Sequence, residues 1–135
     1  AYVIRAPLWE VVIPSMYALA PPPAPFTGWV IHMSHGAVLG VGFAALVAFA
    51  PSLGESVGRS VGAGAAYGIA VWVALAVIVM PIWLSAVGSP ANPPLPNVSA
   101  MSAVGHLAYG VVLGGAYAGY AQTYLFYYLR VRGDE

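Results

Sequence analysis

"SVGAGAAYGIAVWVALAVIVMPIWLSAV", residues 60–87, contains no Asp, Glu, Lys or Arg. A helix rises about 1.5 Å per residue, so roughly 20 apolar residues cross the hydrocarbon core of a bilayer. This stretch alone predicts a membrane-spanning helix. Working outward from it, residues 26–50 and 99–129 also qualify as spans. Across all 135 residues, 61% are hydrophobic and 6% charged, against about a quarter charged in a soluble domain. Such a chain cannot clothe itself in polar surface, so its expected solvent is the lipid bilayer. The charges agree by position: Arg5, Glu10, Glu55, Arg59, Arg130, Arg132, Asp134 and Glu135 leave residues 60–129 without one.

A shift of 74 positions lays one half of the sequence on the other. Pro7 falls on Pro81, Trp9 on Trp83, Ser15 on Ser89, Val30 on Val104, Gly36 on Gly110 and Gly40 on Gly114. His32 falls on His106 and Phe43 on Tyr117. The register runs without a gap from residues 7–43 onto 81–117, which reads as a duplication. The second unit, 59–135, is helix, proline-rich loop, helix. The first, 1–58, has the matching loop and second helix, and residues 1–12 read as the end of a leading helix that lies mostly before Ala1. The expected fold is an all-α membrane protein in a single transmembrane domain. Its duplicated two-helix units form a four-helix bundle, parallel and related by an axis along the membrane normal. The basic residues place the 51–59 loop and the C-terminus in the cytoplasm and the proline-rich loops outside. The location is thus the plasma membrane, crossed several times.

Lipid supplies no hydrophobic force between helices, so they associate where small residues let backbones approach. Gly36 with Gly40, and Gly110 with Gly114, make such strips, expected to pack the two duplicated helices against each other. Gly58/Gly62, Gly64/Gly68 and Gly115/Gly119 repeat the spacing. A planar cofactor is the sharper alternative use of a flat strip.

His32 and His106 sit at matching places within their spans, each about 10 Å below the outer boundary. An ionisable side chain there points to function, because leaving it unpaired in lipid is costly. Three roles stand open for the pair: axial ligands to a haem b, contacts to another ligand such as a quinone, or hydrogen bonds to Ser34, Ser102, Tyr109 or a backbone carbonyl. The structural hydrogen bond is expected, and with it no cofactor. His35 has no counterpart and reads as a polar contact within the bundle. No Cys is present and no acid lies in the spans, so neither a metal shell nor a Ser–His hydrolase is expected. No basic patch addresses nucleic acid. Arg5 and Glu10 read as a snorkelling arginine with a paired acid, or as a contact to a neighbouring subunit.

The stretch "VMPIWLSAVGSPANPPLPNVSAMSAVGHLAYGVVLGGAYA", residues 79–118, resembles a family of small four-span haloarchaeal membrane proteins of unknown function. The resemblance is sharpest at Pro81, Trp83, Gly88, Pro94, His106, Gly110 and Gly114. Members are often labelled histidine kinases, a label that nothing in these residues supports, since no nucleotide-binding domain is present. The resemblance implies a leading helix and an association with terminal oxidases. The expected role is a non-catalytic accessory subunit of a larger membrane complex, with a respiratory haem–copper oxidase as the specific candidate. An electron carrier holding haem through His32 and His106 and a small transporter are the alternatives.

Overall fold

A backbone in lipid must satisfy its hydrogen bonds internally, and a chain this apolar does so with helices. The computed structural model describes residues 8–20 and 22–133, and no strand is present among them. The first element, α1, is a π-helical turn, Leu8–Val12, that runs into Ile13–Ser15. Helix α2 is Pro25–Phe49, followed by a short 3-10 turn at Pro51–Gly54. Helix α3 spans Val57–Ala86 and α4 spans Ala100–Gly133. Both α2 and α3 are long and apolar enough to cross a membrane. The third expected span, 99–129, falls on α4 except for Ser99; α4 is the longest helix, and its Gly, Ser, His and Tyr residues dilute its apolar character.

Local chemistry sets these bounds. Helix α3 starts earlier than the apolar pattern predicts because Ser56 caps it, its Oγ accepting from the Arg59 N–H at 3.1 Å. Helix α4 continues beyond residue 129 because no proline interrupts it. Within α3, residues Trp72–Val79 widen into π-helix just before Pro81. Proline has no N–H, so the carbonyl four residues back loses its helical donor. That carbonyl belongs to Val77, and the Asn97 N–H from the proline-rich loop donates to it at 3.0 Å.

The chain forms two compact units, residues 1–39 with 73–99 and residues 40–72 with 100–135. In the first, α1 and α3 end alike. The Leu19 N–H donates to Pro14 O at 3.0 Å around Ala18, whose φ is 57°. The Ser89 N–H donates to Leu84 O at 2.9 Å around Gly88, whose φ is 68°. Both are Schellman closures, which call for a left-handed residue. Gly88 adopts it freely and Ala18 does not.

In the second unit, α3 and α4 pack antiparallel through glycine. Ser60 lies opposite Gly114, Gly64 opposite Gly110, and Gly68 opposite His106. A Cβ on Gly64 would fall on the Gly110 carbonyl oxygen, one on Gly110 would fall on that of Gly64, and one on Gly114 would meet that of Ser60. The strip on α4 therefore meets α3, and not α2 as the duplication led us to expect. A Cβ on Gly40 would meet the Leu113 and Tyr109 side chains at 3.6 and 3.7 Å, ordinary contact distances that leave room for a methyl group. A Cβ on Gly58, Gly62, Gly115 or Gly119 would meet nothing within 4 Å beyond its own helix backbone. One spacing motif thus serves in some places and is idle in others. The core is completed by Phe43 and Val47, exposed by only 1% and 2%.

The seam is testable by contrast. Gly110→Leu is expected to cost about 3 kcal/mol or to block folding, because backbone cannot yield to a side chain. Gly115→Ala is expected to stay within about 0.5 kcal/mol of the parent. Thermal unfolding in detergent reads both, and equal behaviour of the two variants would refute the seam. Separately, Ala18→Gly is expected to raise stability by about 1 kcal/mol by relieving left-handed strain, read in the same assay.

Candidate functional site

Polar side chains on apolar helices are few, so each one's partner is informative. In the first unit they gather where α1 and α3 end. The Ser15 and Ser89 hydroxyls meet at 2.6 Å, both buried, and Ser15 Oγ also donates to Val12 O at 2.8 Å. Ser89 Oγ in turn accepts from the Ala91 N–H at 3.1 Å. The Trp83 indole N–H donates to Met16 O at 2.9 Å, and the Ala24 N–H donates to Glu10 O at 2.9 Å. The Glu10 carboxylate side is exposed, while Arg5 lies outside the described residues, and any pairing with it also lies there. Close by, a Cβ on Gly28 would fall on the Trp9 carbonyl oxygen. α1 is thus bonded to the loop and pressed against α2.

The histidines of this unit both face aromatic rings. His32 stands edge-on to Trp9, with centroids 4.6 Å apart and planes at 80°. His35 Nε2 shares a 2.7 Å hydrogen bond with the Tyr17 hydroxyl, beside a shallow, mostly apolar cleft of about 270 Å³.

In the second unit, His106 Nδ1 lies 2.8 Å from the Ser102 carbonyl oxygen. A carbonyl can only accept, so Nδ1 carries the proton and a neutral ring leaves Nε2 as its acceptor. Ser102 was an expected partner, but it engages through its backbone. The Ser60 hydroxyl donates to Gly114 O at 2.8 Å across the α3–α4 seam. The Phe43 ring packs against Tyr67 at 5.4 Å and Tyr117 at 6.1 Å. The Trp72 indole nitrogen is buried without a hydrogen-bond partner. Among the described residues, no group of three or more His, Cys, Asp or Glu gathers in a way that could hold a metal ion.

The structure brings together several residues that sequence reasoning had not singled out as a site. Ser15 with Ser89 and Phe43 with Tyr117 were visible as aligned positions, and in each case the two aligned residues touch. Gly28 carried no signal beyond its size. Gly36 is half-buried on α2, at the position aligned with Gly110.

A family model described as a family of unknown function, DUF6789, matches residues 7–125. No curated protein and no solved structure matches the chain.

The Ser15–Ser89 bond predicts coupling. Ser15→Ala and Ser89→Ala are each expected to cost about 1 kcal/mol, and the double variant less than their sum. A strictly additive double-mutant cycle in thermal unfolding would show that the two hydroxyls act independently.

Proposed function

The chain belongs to DUF6789, a family of unknown function, and we propose that it is a non-catalytic accessory subunit of a larger membrane complex. The observation that carries this reading is how polarity is distributed. Helix polar groups close on neighbours within the chain, as in Ser15–Ser89, Tyr17–His35, His106–Ser102 and Ser60–Gly114. The outward surface is apolar instead, with Phe49 exposed by 91%, Met101 by 80% and Phe26 by 76%. Such a surface needs lipid or another protein against it.

In this reading four helices cross the bilayer as two duplicated units. Two contacts support the duplication. Ser15 touches Ser89 and Phe43 touches Tyr117, and a residue that meets its own counterpart lies close to the axis relating them. The 51–59 loop and C-terminus face the cytoplasm. A haem–copper terminal oxidase is the specific candidate complex, carried by the sequence resemblance alone.

The electron-carrier reading keeps one observation in its favour. The Nδ1–H bond to a backbone carbonyl leaves His106 Nε2 as the ring's acceptor, the arrangement an axial ligand uses.

One purification separates the two. Chain isolated from its native membranes is expected to bring a haem-containing oxidase with it, while chain produced alone shows no haem band. His32→Ala and His106→Ala are expected to leave the co-purified spectrum unchanged. A reduced-minus-oxidised band in the isolated chain, abolished by either substitution, would overturn the subunit reading in favour of the electron carrier.

A further inference from the structure

The C-terminal part of α4 has no helix beside it on α3. In the antiparallel register that sets Ser60 opposite Gly114 and Gly64 opposite Gly110, the first residue of α3, Val57, comes level with Tyr117. Residues 118–133 therefore run about 24 Å past the start of α3. Ala118 is still buried, and from Gln122 to Gly133 every residue is exposed.

The chemistry of that segment is unusual for an exposed helix. Tyr124, Leu125, Phe126, Tyr127, Tyr128, Leu129 and Val131 follow one another, with Arg130 and Arg132 between and after them. At 100° per residue they occupy every face of the helix. The apolar surface is not confined to one face, so one groove on a protein partner could cover only part of it. A helix apolar all round belongs in a medium that surrounds it. Tyrosine and arginine in place of aliphatic residues mark the boundary layer of the bilayer and not its centre, since a phenol puts an apolar ring in the acyl region and its hydroxyl among headgroups.

The charges select within that layer. Arg130 and Arg132 are two positions apart and so point about 160° from each other around the helix. The Arg132 guanidinium lies over the Tyr128 ring at 4.9 Å, and Tyr120 stacks on Tyr124 at 6.2 Å. The described part of the segment holds no acid, although Asp134 and Glu135 follow in the sequence. A planar guanidinium matches phosphate with two parallel hydrogen bonds.

We propose that residues 120–133 form an annular site for anionic phospholipid headgroups in the leaflet where α4 ends. Arg130 and Arg132 each engage a lipid phosphate, and the tyrosines hold the acyl boundary. The site rests on the membrane placement of the chain but not on its membership of a complex.

The test uses the purified full chain in detergent micelles, with phosphatidylglycerol, phosphatidylcholine or inorganic phosphate added. Lipid retention is read by native mass spectrometry and stability by thermal unfolding. Phosphatidylglycerol is expected to be retained and to raise the unfolding temperature, while phosphatidylcholine and phosphate do neither. Arg130→Gln or Arg132→Gln is expected to weaken retention about fivefold, and the double variant about thirtyfold. Added salt should weaken it too. The lipid-free unfolding temperature should change little, by no more than loss of the Arg132–Tyr128 contact, because both side chains are exposed. Equal retention by the double variant, or the same stabilisation from phosphate alone, overturns the proposal. So does a dimer in lipid-free micelles whose formation protects a Gln122→Cys thiol from labelling, since a second copy would then cover the segment. Co-purification of a complex plays no part in these readouts, so this proposal and the subunit reading fail separately.

Discussion

The contact on which the second unit depends is backbone against backbone, where α3 and α4 meet at Gly64, Gly68, Gly110 and Gly114. In lipid the alternative to a neighbouring helix is a hydrocarbon tail of nearly equal apolarity, so burial contributes little. Close approach contributes dispersion and Cα–H···O contacts, which fall away steeply with distance. Glycine permits the approach, and the Ser60 hydroxyl then reaches the Gly114 carbonyl at 2.8 Å. Phe43 packs beside this seam, against the Tyr67 ring of α3 and the Tyr117 ring of α4.

The first unit solves a different problem. Its helices end among prolines, and each proline removes a donor and restricts its neighbour. The structure repairs the damage locally. Asn97 supplies the donor that Pro81 withholds from Val77, Schellman closures finish α1 and α3, and paired serines join the two ends. The proline-rich loop after α3 is thereby bonded to α3 and to α1 at defined points.

The histidines illustrate how little a position within a long helix decides alone. His32, His35 and His106 all lie within predicted spans, yet their partners differ in kind: an indole ring, a phenol and a backbone carbonyl. The carbonyl partner is four residues back on the same helix, a local arrangement that any histidine in a helix can reach. It stabilises one tautomer without gathering a second polar group.

Composition and the long uncharged apolar runs pointed to helices, and two of them, α2 and α3, are long and apolar enough to cross a membrane, because a helix satisfies its backbone hydrogen bonds within a single segment. The 74-residue register is a feature of the sequence itself, in which proline, tryptophan and glycine recur at fixed positions. Which glycines matter was not. Gly58/Gly62 and Gly64/Gly68 share one spacing on one helix, yet only the second pair meets another backbone. The choice depends on the rotation of α3 about its axis, and that rotation follows from everything packed around it. The pairing of Ser15 with Ser89 was hidden for the same reason. Alignment marks residues as equivalent, and only the packed helices bring the two within 2.6 Å.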